Sequence, residues 1–355
     1  MDHTRVSRRV LPLIRSISFL ERFLLTSPLK LCHHILGFLS KPDLVSLGCS
    51  SSICKEFVDV YSRVAWNIDA YLTPWFDDPQ IFRSLMAFTG AVISGSQALR
   101  FFDRLPPDTC RDLDIFVRPA GAMSLCTYLL GRHGYVRTSR PSDIDETYPI
   151  ITDILSLSST KRFCRGGGAQ GIIAVFDFEK PQPEAGCPNL KVQIIVVAQH
   201  PVHHIVYNFH STIVINYVTY REAVSVFPKT TFLKRVGYVT SRRSLGNAPK
   251  PSWIVKYEKR GYTFDLHSRH PSVELADRST GDNRCWRIAF DSDEPNAEIE
   301  AEANNAIYGP LGLDELKFEL SWVPEEENGR LPVRFRLGIY EPELWDYIFP
   351  WHMLH

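Results

Sequence analysis

Two short motifs in the 355-residue chain have residue types and spacing that suit phosphate and metal chemistry. Gly95-Ser96 follows one apolar run, and Asp112-Leu113-Asp114 begins the next. Residues two apart on a strand project to the same face, so both carboxylates can meet one cation. Gly95 lets the backbone approach a phosphate closely, and Ser96 with the amides of a helix N-terminus can donate hydrogen bonds to it. The pattern predicts a metal and triphosphate site, because Mg²⁺ is commonly shared between carboxylates and substrate phosphates.

A run of alternating strands and helices must position these motifs. The apolar patterns predict strands at residues 91–93, 113–117, 172–178 and 191–198. Helices are predicted to start at Gln97 and to cover 120–132. This order predicts a mixed α/β sheet with helices packed against it.

The Gly-Ser turn followed by an Asp-x-Asp strand resembles the nucleotidyltransferase superfamily related to DNA polymerase beta, over about residues 88–220. The resemblance implies that Gly95 and Ser96 hold the triphosphate and that Asp112 and Asp114 are catalytic metal ligands. It also implies Mg²⁺-dependent transfer of a nucleoside monophosphate from a nucleoside triphosphate to the hydroxyl of an RNA, a small molecule or a protein.

The sequence departs from this superfamily at the third carboxylate. The strand that should carry it offers Gln193, a neutral amide that is a weaker ligand and cannot act as a base. Asp177 on the preceding strand is the candidate substitute, provided that its side chain faces the same side. An active enzyme, a nucleotide-binding pseudoenzyme and an inactive scaffold all remain open.

Near the N-terminus, apolar residues at helical spacing flank the turn at residues 40–43. They resemble an F-box, the helical segment that docks on a Skp-type adaptor of a cullin ubiquitin ligase. The resemblance implies that the partner-binding residues are Leu25, Pro28, Ile35, Leu36, Leu39, Leu44 and Leu47. The alternative is an ordinary helical hairpin packed on the main domain.

Downstream segments such as Lys256-Tyr257-Glu258 resemble fungal proteins that carry a nucleotidyltransferase-like domain, some of them with an F-box in front. The leading interpretation is therefore a substrate receptor of a cullin ubiquitin ligase that recognises a target protein through an inactive nucleotidyltransferase-like domain. The rival interpretations are the active Mg²⁺-dependent nucleotidyltransferase and the pseudoenzyme.

Charge is balanced over the whole chain, with 40 Lys and Arg against 40 Asp and Glu, so any attraction to nucleic acid must be local. Residues 229–260 form a basic strip in which aromatic residues interleave, as in surfaces that bind RNA bases. The favoured interpretation is a solvated helical face that balances an acidic C-terminal part.

Residues 194–220 lack charged side chains, but Pro201 and several polar residues predict a strand, a turn and a helix there instead of a membrane span. Four histidines, at positions 200, 203, 204 and 210, raise a zinc hypothesis that no nearby cysteine or acid supports.

Isolated cysteines indicate the cytoplasm or nucleus, and a mitochondrial presequence is the alternative for the basic N-terminus.

The fold class predicted from these patterns is α+β, with five segments along the chain. They are a basic tail (1–24), an F-box-like helical segment (25–85), a nucleotidyltransferase-like domain (86–220), a basic helical segment (221–262) and an acidic β-rich part (263–355).

Overall fold

The computed structural model describes residues 17–107, 112–138, 171–182, 186–198, 200–239, 250–265, 277–290, 316–322 and 333–336. The chain divides into two compact units, Met1–Asn67 and Ile68–His355, called here the N-terminal and C-terminal units. The protein belongs to the α+β class, since its helices accompany a mixed sheet of eight strands. Residues 1–16, much of the acidic part and residues 240–249 of the basic strip lie outside the described residues. The predicted bounds of the basic tail (1–24) are wrong at their end, because a helix already begins at Phe19.

The described part of the N-terminal unit is helical. Its helices are α1 (Phe19–Thr26), α2 (Leu29–Phe38), α3 (Lys41–Gly48) and α4 (Ser52–Ala65). Two of them begin at capping boxes, because Ser18 exchanges hydrogen bonds with Glu21 and Ser40 does so with Asp43. Such caps satisfy backbone N–H groups that a helix start leaves without partners.

The core of the N-terminal unit is small. Leu24, Cys32 and Cys54 form its central cluster, and Leu36 and Leu44 are also buried. Ten of the sixteen exposed large apolar side chains in the described residues belong to this unit, including Phe19, Leu25, Leu29, Ile35, Phe38 and Val64. A unit of this size cannot bury all of its apolar surface by itself.

The C-terminal unit is built on an eight-stranded sheet with the order β11-β7-β6-β1-β2-β5-β4-β3. The strands are β1 (Val92–Ser94), β2 (Leu113–Val117), β3 (Val136–Arg137), β4 (Ile172–Lys180), β5 (Leu190–Val197), β6 (Asn216–Val218), β7 (Glu222–Ser225) and β11 (Trp286–Ala289). Strands β2 and β5 run parallel, and the other neighbouring pairs are antiparallel.

Helices cover both faces of this sheet. They are α5 (Ile68–Leu72), α6 (Pro79–Thr89), α7 (Gly95–Phe102), α8 (Pro119–Arg132) and α9 (Pro201–Asn208). Gly121 lets α8 pack closely against β2 and α6. A Cβ at Gly121 would lie 2.8 Å from Val117 of β2 and 2.8 Å from Thr89 of α6. Helix α9 packs on the opposite face through Val202 and Ile205, against a cluster that includes Phe116.

The remaining strands and α-helix of the described residues flank the sheet, together with the short helical turns Thr212–Val214 and Lys229–Lys234. The strands and the α-helix are β8 (Val236–Tyr238), β9 (Thr263–Asp265), α10 (Ser252–Glu258), β10 (Asp277–Ser279), β12 (Lys317–Trp322) and β13 (Val333–Arg336). Strands β8 and β9 pair in parallel, and β10, β12 and β13 form a separate antiparallel sheet. Residues 221–262 therefore contain strands β7 and β8 besides α10. In the part of the chain that the structure describes, no helix is long and apolar enough to cross a membrane.

Candidate functional site

Gly95 and Asp114 lie against each other where β1 leads into α7. Gly95 has φ +74°, and a Cβ at this position would lie 2.2 Å from Asp114 Oδ2. Only glycine combines the left-handed backbone with this close approach. The sequence places the Gly-Ser turn and the Asp-x-Asp strand 16 positions apart, and antiparallel pairing of Ser94 with Asp114 brings them together.

The same face of the sheet carries Asp177. Asp114 is in register with Gln193 on β5, and Gln193 is in register with Asp177 on β4. Residues directly opposite on neighbouring strands project to one face. Gln193 Nε2 donates a hydrogen bond to Asp177 Oδ1 over 2.5 Å. The side chain that departs from the superfamily pattern thus binds the carboxylate considered as its substitute.

Asp114, Gln193 and Asp177 form a first row of polar side chains across the sheet, and a second row runs beside it. Lys191 and Glu179 are in register and form an ion pair with an N–O distance of 3.2 Å. Each lies two residues from a member of the first row, on the same face. Asp112, which immediately precedes β2, interacts electrostatically with Lys191, Asp177 and Glu179. The polar rows therefore cover three neighbouring strands.

The two carboxylates of the Asp-x-Asp motif hold their protons unusually well. Loss of water around the half-buried Asp114, together with the charge of Asp112, raises the pKa of Asp114 to about 7, although Lys256 opposes the shift. Burial also raises the pKa of Asp112, against the effect of Lys191. Two carboxylates that resist ionisation together are a site where a divalent cation would relieve the repulsion.

Helix α10 of the basic strip lies at this site with Ile254 and Tyr257 buried, so the strip is not solvated on every side. Tyr257 is 3% exposed, and its hydroxyl lies 3.4 Å from Ser96 Oγ. Lys256 interacts electrostatically with both Asp112 and Asp114. The hydroxyl of Ser96, predicted to hold phosphate, thus faces a tyrosine. The pattern of basic and aromatic residues gave no sign of which turn of the strip would reach the carboxylates.

The histidines lie close by but form no metal cluster. The His210 ring stacks on Trp253 of α10 with ring centroids 4.0 Å apart. Burial lowers the pKa of His200 to about 3 and that of His204 to about 4, so both rings are neutral. Across the described residues, no group of three or more His, Cys, Asp or Glu side chains converges to hold a metal ion.

Asp112 and Asp114 nevertheless fit a Mg²⁺ ion that is shared with phosphate. They offer only oxygen ligands, and Mg²⁺ is usually bound through one or two carboxylates while it keeps several waters. Lys256 supplies a positive charge beside them that suits an anionic ligand. These residues can hold a cation and the phosphates that accompany it.

The residues predicted to bind an adaptor divide into two groups in the N-terminal unit. Leu36 and Leu44 are buried in its core, and Leu39 and Leu47 are partly buried. Leu25, Pro28 and Ile35 are exposed. Of the seven residues, these three expose the largest part of their side chains.

Comparison of the chain with models of known protein families, with curated proteins and with solved structures found no match. The geometry of these residues is therefore the basis for a proposal on function.

Proposed function

We propose that the C-terminal unit binds a nucleoside triphosphate together with Mg²⁺ at Asp112, Asp114 and the turn at Gly95. The observation that carries the proposal is the contact between Asp114 and Gly95 at the start of α7. It brings a carboxylate pair of raised pKa next to a helix N-terminus, where backbone N–H groups favour phosphate. Asp112 and Asp114 would hold the cation, which when bound would neutralise charge on the phosphates.

Calorimetric titration tests the binding directly. ATP, GTP, CTP and UTP, each with Mg²⁺, are titrated into the wild type, into Asp112→Asn/Asp114→Asn and into the control Asp77→Asn. The Asp77 side chain is 74% exposed, so its removal tests a carboxylate outside the site. Binding by the wild type and the control, and its loss in the double variant, is the expected result. A folded wild type that binds none of the four would refute the proposal.

Catalysis is a separate question from binding, and incubation with α-³²P-labelled triphosphates addresses it. Transfer to an acceptor hydroxyl should label the acceptor and release pyrophosphate. Label that depends on Asp114 would support the nucleotidyltransferase. Binding that is never followed by pyrophosphate release, with cell extract supplying acceptors, would support the nucleotide-binding pseudoenzyme.

A second candidate function concerns the N-terminal unit, which would dock on a Skp-type adaptor as the receptor subunit of a cullin ubiquitin ligase. The observation that favours it is the exposure of Leu25 (43%) and Ile35 (41%) within a small helical unit. Apolar side chains exposed at this density are typical of protein-binding surfaces.

Capture of a purified Skp-type adaptor by the full chain tests this second function. Leu25→Asp/Ile35→Asp should abolish capture, whereas Val64→Asp, at a side chain that is 61% exposed on α4, should not. Leu36 is unsuitable for this test because it is 2% exposed, and a charge there would disrupt the core. Equal capture by the wild type and the double variant would exclude this docking surface.

A further inference from the structure

The row Asp114–Gln193–Asp177 contains a carboxylate that the proposed site leaves without a role. Asp177 projects from the same face as Asp114, two strands away. The neighbours of Asp177 along β4, Phe176 and Phe178, are buried on the opposite face. The hydrogen bond from Gln193 fixes the carboxylate on the side of β4 that faces β5 and β2. Asp177 is thus an oriented acidic group at the edge of the site.

We propose that Asp177 is the third acidic group of the cation site, one strand further out than Gln193, and that Gln193 is its positioning residue. This inference rests on the proposed function of Asp112 and Asp114 as cation ligands. Gln193 lies one strand nearer to β2 and carries an amide in place of an acid. Its Nε2 donates a hydrogen bond to the Asp177 carboxylate.

The distance across the sheet decides how Asp177 takes part. Neighbouring strands are about 4.8 Å apart, so the backbones at Asp114 and Asp177 are separated by about 10 Å. No three acidic, histidine or cysteine side chains of the described residues converge on one point, so direct ligation of the same ion by all three aspartates is not indicated. Mg²⁺ keeps several of its waters in proteins. Asp177 therefore acts as an outer-sphere acceptor of hydrogen bonds from those waters.

Electrostatics supports the same role. The charges of Asp177 and Asp112 interact with each other, so the negative charge of Asp177 reaches the cation ligands. In the second row, Glu179 forms an ion pair with Lys191, which compensates much of the Glu179 charge. The hydrogen bond that Asp177 accepts from Gln193 comes from a neutral amide, and Lys191 also interacts electrostatically with Asp177.

Titration of the full chain with Mn²⁺, followed by the electron paramagnetic resonance signal of the free ion, tests the proposal without any nucleotide or acceptor. Asp177→Asn removes the charge but keeps an oxygen that can accept from Gln193. We expect it to weaken Mn²⁺ binding about tenfold, as outer-sphere partners of metals typically do. The control Asp77→Asn removes the same charge from a position that contacts Lys180 and His133, and should change affinity less than about twofold. Equal effects of the two variants would overturn the inference.

Moving the carboxylate provides the complementary test. Gln193→Asp in the Asp177→Asn background places an acid on the strand that pairs directly with β2, and we expect it to restore Mn²⁺ affinity. Gln193→Leu should weaken binding when Asp177 is present and have no further effect in Asp177→Asn, because a positioning residue acts only through the group that it holds. Additive losses would refute the positioning role.

Failure of the inference differs from failure of the proposed function. If the wild type binds Mn²⁺ no better than Asp112→Asn/Asp114→Asn, the cation site itself is refuted, and Asp177 with it. If the double variant loses binding while Asp177→Asn retains it, only the role of Asp177 is refuted. Circular dichroism and thermal unfolding confirm that each variant is folded before titration.

Discussion

At the scale of single residues, Gly95 links conformation to chemistry. Alanine there must adopt a left-handed backbone and also displace the Asp114 carboxylate, since its Cβ would lie 2.2 Å from Oδ2. Gly90 is a matched control, because its φ is +65° and its Cβ would meet nothing within 4 Å. The two substitutions therefore separate backbone strain from the loss of the contact.

We expect Gly90→Ala to lower the free energy of unfolding by about 1 kcal/mol and to leave Mn²⁺ affinity unchanged. Gly95→Ala should cost about 2 to 4 kcal/mol and abolish Mn²⁺ binding, because it adds a steric clash at a cation ligand. Urea unfolding and Mn²⁺ titration measure the two effects. If the two alanine variants bound Mn²⁺ with equal affinity and lost equal stability, the Gly95–Asp114 contact would have no role in cation binding.

The raised pKa of Asp114 predicts a stability that depends on pH in the metal-free protein. The folded state keeps the Asp114 proton up to a pH of about 7, whereas an unfolded aspartate releases it near pH 4. Between these values the folded state binds more protons, so this residue makes the free energy of unfolding fall as pH rises.

Asp114→Asn removes this dependence. At pH 8, with a chelator present, we expect the variant to be more stable than the wild type by an amount on the order of 2 kcal/mol, discounted for the partial exposure of Asp114. The difference should shrink toward zero at pH 4, where both states of the wild type are protonated. Urea titrations at pH 4, 6 and 8 measure it, and a difference that is constant with pH would contradict the assigned cause.

At the scale of elements, α10 gives the site a charge that acts oppositely on cations and anions. Lys256 repels a divalent cation at Asp112 and Asp114 but attracts the phosphates that accompany it. Lys256→Gln should therefore tighten Mn²⁺ binding by about threefold and weaken the binding of Mg²⁺ with a triphosphate. Lys259→Gln, at the exposed residue that follows α10, is the control. Effects of the same sign on both ligands would show that Lys256 does not act through its charge.

Most individual elements around the site were predictable from local pattern. The predicted strand 113–117 is exact, and the predicted helix 120–132 begins one residue late. The strands predicted at 172–178 and 191–198 are confirmed as β4 and β5, with shifted ends. These elements have strong apolar periodicity and clear boundaries, which are local properties of the chain.

Pairing between elements was not predictable in the same way. The alternation Phe176-Asp177-Phe178-Glu179 indicates a strand with one polar face, but nothing local indicates which other strand shares that face. The antiparallel pairing of β4 with β5 settles the orientation of Asp177. The arrival of Tyr257 beside Ser96 likewise depends on a contact between residues 161 positions apart.

At the scale of the whole molecule, the balanced charge and the exposed apolar residues of the N-terminal unit act together on solubility. The formal net charge is zero at pH 7, so charge repulsion between molecules is weak. Phe19 and Phe38 are 86% and 79% exposed, and such side chains promote association at low net charge.

Phe19→Glu/Phe38→Glu should raise the saturation concentration at pH 7 several-fold without lowering the free energy of unfolding. The control Leu130→Glu/Val136→Glu adds the same charge at exposed apolar residues of the C-terminal unit and should raise it less. Sedimentation of concentrated samples gives the saturation concentration. An equal increase in both variants would assign the effect to net charge alone.

The position of β11 at the outer edge of the sheet affects how the chain folds as it is synthesised. Strands β1, β2 and β5 carry the site and leave the ribosome well before Trp286. The outer edge of β7 stays unpaired until β11 has been synthesised, and only then can Arg287 of β11 pair with Glu222 of β7. An uncovered strand edge is a template for pairing with other chains. A nascent chain stalled before Trp286 would contain the strands of its site but would expose the unpaired edge of β7 to other chains. Such a chain would depend on chaperones until β11 emerges.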